Sequence, residues 1–532
     1  MQFRKALPFI ISVVLIGFWS CRRSPTLPEW DADFFGPLLK ADMGINNLIP
    51  DSLITSNPDN SLNLVYESTI YELIADSLFK IPDTTLNYSY LVPAGWVVVT
   101  PGSQILNNTG NNQYQLGGAQ IKRAVIRNGY MDVLVTNTIH KRLLVQFSMP
   151  LTTKNSQPFN KTVVVPAAVG NNPGIFTDTF RLDGYSVDLR GPNGNSYNTL
   201  VSSVVGSIHP NEVGVDTVYQ GEGVVINLSF KKMVPQYATG YFGQSTHYIG
   251  PEETGFDLFR KIVGGSLHLE SATMDLNIEN GFGVDARVRL SELTSRNTNT
   301  GNNVTLNHSI INSTININRA TDPGGQVQPS IYSVTLNNQN SNLKSLLENL
   351  PNKLRYALFA EINPLGNVSG SNDFAYYGKG LKINGKLEVP LSLGANGLTF
   401  VDTVSFSIGD PEKNPVLSGQ MFLYAENGFP LDCEVSLGLL DGNGNLLSEF
   451  LPVSSVIDEA PLGSNGIVSS PRLTKLIIPV PEWKIAHVNA AKKVVIKAKF
   501  TTTNAPAYLK IYSHYKLKLK VVGDFKTRIK AS

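Results

Sequence analysis

The chain has 532 residues, with 44 basic and 42 acidic side chains, and two of the basic ones, Arg4 and Lys5, lie in a segment that reads as a leader. A balance this close to neutral removes the electrostatic case for binding nucleic acid. Only Cys21 and Cys433 are present, charge is 16%, and Gly, Pro and Asn are abundant between short Val/Ile/Leu runs, a composition that favours a mainly β chain stabilised by burial rather than disulfides.

Residues 1–20 carry the three parts of a secretory signal. Arg4-Lys5 is a basic start, Ala6 to Trp19 is an apolar run, and Ser20 sets a small residue before Cys21. The run is too short to span a bilayer as a permanent helix. A small residue followed by Cys is what a lipoprotein peptidase cleaves, so the pattern predicts lipidation of Cys21, where two or three acyl chains give firm anchoring. Phe18 and Trp19 are bulkier than such a site usually holds, and an ordinary cleaved signal or an uncleaved anchor helix are the alternative readings. No later stretch reaches the ~18 apolar residues of a spanning helix. Residues 21–45, with their Pro and acidic residues, are expected to be the lipidated Cys and a tether.

The rest of the chain repeats itself. Residues 271–290, SATMDLNIENGFGVDARVRL, and 418–437, SGQMFLYAENGFPLDCEVSL, share Ser, Met, Leu, Glu-Asn-Gly-Phe, Asp, Val and Leu in register, and 131–137, MDVLVTN, is a fainter copy. Each reads as a strand, a sharp turn and a second strand. Asn280-Gly281 is expected to supply the turn or bulge through tolerance of positive φ, with Phe282 and Phe429 plugging the core beside it. Leu431, Cys433, Val435 and Leu437 fall on one strand face, which makes Cys433 a small buried hydrophobe. Helices are expected over Leu343–Leu354 and Trp483–Lys493, each followed by a strand, Tyr356–Ile362 or Val494–Thr501. The predicted organisation is mainly β: tandem β-sandwich-like or curled-sheet units over 46–255, 256–375 and 376–532, with a few short helices.

Candidate chemistry is thin. Gly380 to Leu387 begins like a phosphate loop but lacks Ser or Thr after Lys386 and a helix to follow, so a hairpin is expected there. Asp441-Gly442-Asn443-Gly444-Asn445 resembles the start of a calcium loop, yet Leu446 and Pro452 stand where Gly and Glu are needed, and a turn is expected. Ser77–Lys80 and Ser341–Lys344 match Ser-x-x-Lys without its Lys-Thr-Gly companion. His140, His209, His247, His268, His308, His487 and His514 show no zinc spacing. No catalytic, cofactor or metal residue is assigned, although paired carboxylates that meet only in the fold leave a glycan hydrolase open. Lys516, Lys518 and Lys520 alternate with Leu517, Leu519 and Val521; the first reading is an edge strand protected by Lys, the second a contact with anionic lipid.

Cys21, Trp30-Asp31, Asp183-Gly184-Tyr185 and Asn427-Gly428-Phe429-Pro430 together resemble a group of large, uncharacterised envelope lipoproteins common in Bacteroidota. The resemblance implies a location, the outer membrane, with Arg22-Arg23-Ser24-Pro25 after the Cys pointing to the periplasmic face, and implies no activity. It also implies O-glycosylation at Asp-Ser/Thr followed by a small or aliphatic residue, which matches Ser52, Ser77 and Thr84, and Thr217 and Thr403 within strand patterns. The strand–Asn–strand unit is similar, as a fold, to late-embryogenesis-abundant type 2 sandwiches. Three functions follow as expectations: an anchored structural or binding lipoprotein with an envelope protein or lipid as partner, a carrier of an apolar ligand, or a polysaccharide-binding or -hydrolysing protein.

Overall fold

A computed structural model describes residues 28–47, 49–74, 81–450, 456–503 and 508–530. Strand dominates, as the composition predicts, and the described helices are short. The chain first lays down β1 (Glu29–Gly44), β2 (Leu62–Ile74) and β3 (Thr84–Leu91). Seven longer strands follow, among shorter ones: β4 (Gln104–Gln113), β5 (Gln120–Asn137), β6 (Leu143–Lys154), β7 (Gln157–Val165), β8 (Gly174–Arg181), β9 (Thr199–Ile208) and β10 (Gly223–Tyr241). Next come β11 (Ser245–Gly255), β12 (Thr273–Asn280), β13 (Ala286–Arg296), β14 (Ser330–Asn337), α1 (Leu343–Glu348), β15 (Lys353–Ile362), β16 (Asp373–Tyr376) and β17 (Gly380–Pro390). The last are β18 (Ser392–Ser405), β19 (Val416–Asn427), β20 (Asp432–Leu440), β21 (Arg472–Pro479), α2 (Ile485–Ala490), β22 (Lys493–Thr501) and β23 (Lys516–Lys530).

These strands build three sandwiches of one plan. Each has an Asn-bearing sheet: β3-β10-β5-β8 in sandwich A, β2-β17-β12-β14 in sandwich B and β1-β23-β19-β21 in sandwich C. Each has a second layer: β4-β9-β6-β7 in A, β11-β15-β13 in B and β18-β22-β20 in C. In A the short strand Ser186–Asp188 pairs with both β5 and β6, so its two layers count as one continuous sheet. Tyr88 from one layer and Ser202 from the other share a buried hydroxyl hydrogen bond of 2.8 Å, inside a core that includes Val133, Val145, Val204 and Ile226.

The sandwiches are nested. The opening strand of each pairs with its closing strand: β3 with β10, β2 with β17, β1 with β23. The described residues accordingly separate into two compact units of discontinuous segments, one of those up to 65, from 256 to 271 and from 389 on, the other of those from 66 to 255 and 272 to 388. The three expected units run contiguously because the repeat signature begins only at the Asn-bearing strands; the opening strands carry none of it. The expected tether likewise ends early: Glu29–Gly44 is β1, hydrogen-bonded to β23 along its length.

The repeat is a corner held by one side chain. Asn137, Asn280 and Asn427 are each 0% exposed. Asn280 Nδ2 donates to the carbonyls of Val284 (2.8 Å) and Asn318 (2.9 Å), and its Oδ1 accepts the Phe282 amide (3.0 Å). Asn427 does the same with Leu431, Asp458 and Phe429 at 2.9, 2.9 and 3.0 Å, and Asn137 with Lys141, Pro166 and Ile139 at 2.9, 2.7 and 2.9 Å. An alanine amide, Ala168, Ala320 or Ala460, then closes onto the carbonyl of Ile139, Phe282 or Phe429. All three of those side chains are buried, as is Cys433.

The corner corrects the positive-φ expectation, since neither Asn280 nor Gly281 has positive φ. The Asn works through its amide, satisfying backbone groups that the turn would otherwise bury unpaired. Gly281 and Gly428 are needed for approach: a Cβ there would lie 3.0 Å from the Gly380 carbonyl oxygen and 2.9 Å from that of Lys516. In the first copy Thr138 replaces Gly and its hydroxyl bonds Gly223. The hairpin expected at Gly380–Leu387 is also corrected. Asn384-Gly385 lies inside the unbroken strand β17, where Asn384 faces Asn277 and a Cβ on Gly385 would meet Met274 at 2.8 Å.

Candidate functional site

Because the corners fix the register, the outer faces of the three Asn-bearing sheets can be compared position by position. Three residues before each Asn, a cross-strand row reads Asn87, Asn227, Leu134, Thr177 in A. In B it reads Asn384, Asn277, Ser333, with Thr69 bonded to Asn384 at 2.9 Å. In C it reads Lys40, Lys520, Tyr424, Lys475. Five residues before the Asn, A has Thr85, Ser229, Asp132, Thr179, B has Lys386, Asp275, Thr335, and C has Pro37, Val522, Phe422, Ile477.

On A these rows line a groove of about 790 Å³, walled by Thr85, Asn87, Asp132, Thr177, Thr179 and Asn227 among others. Thr179 donates to Asp132 Oδ1 at 2.7 Å and Lys231 Nζ lies 3.0 Å from Oδ2. The hydroxyl and then the ammonium hold the Asp132 carboxyl below the usual carboxylate range. Asp178, also in the groove, accepts the Thr179 amide at 2.8 Å. Sandwich B repeats the device, with Thr335 on Asp275 and Ser333 on Asn277, both at 2.6 Å, beside a smaller groove of about 350 Å³. The arrangement offers hydrogen-bond donors and acceptors, with both carboxylates of the larger groove already engaged.

Sandwich A also encloses an apolar cavity of about 40 Å³ lined by Tyr114, Ile126, Met149, Thr152, Phe230 and Met233 among others. A space of this size holds a few waters and no acyl chain. Thr152 Oγ1 is buried there without a hydrogen-bond partner among the described residues, and burial raises the Tyr114 hydroxyl above its ordinary value.

The densest buried charge lies where β16 pairs with β10. Asp373, 1% exposed, accepts from Asn363 Nδ2 at 2.9 Å and the Phe242 amide at 3.3 Å. Arg319 bridges Asp373 at 3.5 Å and Asp285 at 2.8 Å. This network ties sandwich B to the end of β10; its groups face one another, as structural ion pairs do.

The residues singled out by sequence are scattered. Cys21 and Ser77 lie outside the described residues. Ser52 is exposed in a short 3-10 turn, and Thr84, half-buried, opens β3 and bonds the Pro82 carbonyl. Thr217 and Thr403 sit in strands. Ser341 donates to the Asn337 carbonyl at 2.7 Å, the job of a turn serine. Asp441 accepts the amides of Asn443 and Asn445, both at 2.8 Å, which makes the expected turn. No cluster of three or more metal-ligating side chains occurs among the described residues. Lys516, Lys518 and Lys520 are exposed and Leu517, Leu519 and Val521 buried, as alternation predicts. The edge-strand expectation is corrected: β23 is central, paired with β1 on one side and β19 on the other. No helix among the described residues is long and apolar enough to cross a membrane. The grooves escaped sequence reading because each gathers its walls from distant strands; the one available signal was the alternation of Thr, Ser and Asn on strands that share a repeat.

Comparison with solved structures gives distant matches. A protein of Parabacteroides distasonis described as secreted is 9% identical, aligns with 94% of this chain and 100% of its own, and has a TM-score of 0.25. The VP2 subviral particle of infectious bursal disease virus is 11% identical over 91% of this chain and 85% of its own, with a TM-score of 0.09. Superpositions this loose carry no weight for function. No family model and no curated protein matches the chain, and the likeness to late-embryogenesis-abundant type 2 sandwiches gains no support.

Proposed function

We propose that this chain is a non-enzymatic structural or binding lipoprotein of the bacterial outer membrane, held by acyl chains on Cys21 and facing the periplasm. We further infer that the groove on sandwich A takes a polar, hydroxyl-rich ligand, a stretch of polysaccharide. The observation that carries the reading is that groove, about 790 Å³ walled by Thr, Ser and Asn side chains at strand spacing. Hydroxyl and amide groups pair with sugar hydroxyls, and a site with such pre-placed partners rejects ligands that leave them unpaired. A hydrolase would need one carboxyl as acid and another as base or nucleophile; here Asp132 is committed to Thr179 and Lys231, and Asp178 to a backbone amide. A lipid carrier would need far more than the 40 Å³ of the enclosed apolar cavity.

Two experiments test the reading. Cys21→Ser should release the protein from the membrane fraction or leave its signal uncleaved; processing and fractionation like the parent would refute the anchor. Affinity electrophoresis through gels cast with dextran, mannan, xylan or solubilised peptidoglycan glycan strands tests the groove. Retardation in at least one gel, abolished by Asn87→Leu with Asn227→Leu, is expected. No retardation in any of them would leave the scaffold role alone.

A further inference from the structure

The outer face of sandwich C breaks the pattern that its two relatives keep. Where A and B carry amides and hydroxyls, C carries the row Lys40, Lys520, Tyr424, Lys475, and beside it the apolar row Pro37, Val522, Phe422, Ile477. The fold does not require lysine at these positions, because the other two copies do without it. Protection against edge pairing accounts at most for Lys40 and Lys475, which lie on the edge strands β1 and β21; it does not explain Lys520, because β23 has a partner on both sides. Intrinsic stability argues the other way. Lys40 lies directly opposite Lys520, and like charges in facing positions destabilise a sheet.

The acids of the face do not answer this charge. Glu426 is taken by Lys518 at 2.7 Å, while Asp42 and Asp524 lie in the rows to either side. Lys40, Lys516 and Lys520 have no ion pair among the described residues. Lys475 Nζ lies 4.2 Å from the Phe422 ring centroid and 5.5 Å from that of Tyr424. Ile477 is 46% exposed and Leu473 76% exposed at the same edge. Pro37 and Ile477 are exposed, the Phe422 ring half-buried between them and Val522 buried beneath; apolar side chains and rings flanked by ammonium groups on flexible stems suit the boundary between lipid headgroups and acyl chains.

We propose that this face docks on an anionic lipid bilayer, Pro37, Ile477 and the edge of the Phe422 ring entering the headgroup region and Lys40, Lys475 and Lys520 meeting lipid phosphates. The choice of a bilayer rests on the reading of Cys21 as the anchor, which would bring the start of β1 near the membrane. Eight residue steps separate Cys21 from Glu29, where β1 begins, and they reach about 29 Å at most. The strand that carries Lys40 therefore starts within one short reach of the membrane. Docking would lay the sandwich flat and hold it there; the lipid alone would leave it free to swing.

The test is vesicle sedimentation with lipid-free protein from Arg22 onward, which keeps every described residue, so that the anchor plays no part. Vesicles are phosphatidylcholine alone or phosphatidylcholine with phosphatidylglycerol. Binding is expected only to the second, weakened by added salt, since exposed charges are screened beyond about 8 Å at physiological ionic strength. Lys40→Glu, Lys475→Glu and Lys520→Glu together should lower binding by at least about a hundredfold, near fivefold for each lysine removed from the membrane surface, with further loss from the added negative charge. Ile477→Ser, at a position 46% exposed, should lower it with the charges intact. Thermal melts of each variant check that the fold survives. Binding that ignores phosphatidylglycerol, or that persists in the triple variant, overturns the proposal. So does an absence of vesicle binding in the parent, whatever the Cys21→Ser fractionation shows about the anchor.

Discussion

Sandwiches A and C share a corner, a strand order and a register, yet turn different chemistry outward from the same positions. In A the two central rows hold six amide or hydroxyl side chains, one carboxylate and a single apolar side chain, Leu134, with an Asp–Thr pair at 2.7 Å. In C they hold three lysines, two aromatic rings and three aliphatic side chains. Sandwich B sides with A, down to its own Asp–Thr pair at 2.6 Å. The buried half of the plan is therefore constrained by packing and by unpaired backbone groups, and the exposed half is free to be spent on recognition. The difference also separates the two kinds of partner proposed here, a hydroxyl-rich ligand on A and a charged lipid surface on C.

The comparison breaks first if the corner is not the shared frame. Asn137→Leu, Asn280→Leu and Asn427→Leu should each cost about 4–5 kcal/mol, because each strands three buried backbone groups worth ~1–3 kcal/mol apiece. Urea unfolding of the three variants should give similar losses; one silent site would end the equivalence. Phe429→Ala should cost about 3–4 kcal/mol, the usual result of emptying a large core site, and Ile139→Ala slightly less. The exposed rows should behave in the opposite way. Moving the lysine row onto A, as Asn227→Lys with Thr177→Lys, should change stability by less than about 1 kcal/mol while giving A some affinity for anionic vesicles.

The smallest effect is a titration. Asp132 has a depressed carboxyl, so the contribution it makes to stability is present above its unfolded value near 3.8 and is lost as pH falls through the lower folded value. Carboxyl carbon NMR should show Asp132 titrating below that value and rising toward it in Thr179→Val. The side chain is partly exposed, so screening keeps the stability change small. An unchanged midpoint in the variant would mean that the Asp–Thr pair does not form in solution.

Much of the frame was legible because it repeats. Glu-Asn-Gly-Phe at two places identified the corner, and alternation of Leu431, Cys433, Val435 and Leu437 identified the strand that leaves it. How the corner works was not legible, because Asn serves equally for positive φ and for side-chain hydrogen bonds, and only the positions of Asn318 and Asp458 decide between them. Asn384-Gly385 misled for the same reason: a dipeptide that favours a tight turn sits mid-strand, its Gly required by Met274. The opening strands lacked any signal of their own. Glu29–Gly44 reads as a tether until its partner, at the other end of the sequence, is known. That long-range pairing also hid the central position of β23 and, with it, the weakness of the edge-protection reading of its lysines.

Nesting imposes an order of assembly. Sandwich A can close as soon as β10 has been made, sandwich B only after β17, and sandwich C only when β23, the final described strand, has arrived. A chain synthesised from its N-terminus thus holds β1 unpaired while nearly everything else is made. The strand waiting longest is the one next to Cys21, and it presents an open edge throughout. A chaperone that shields this one exposed β-strand would protect the whole molecule, and a chain cut short before Lys516 would lose sandwich C while A and B still close.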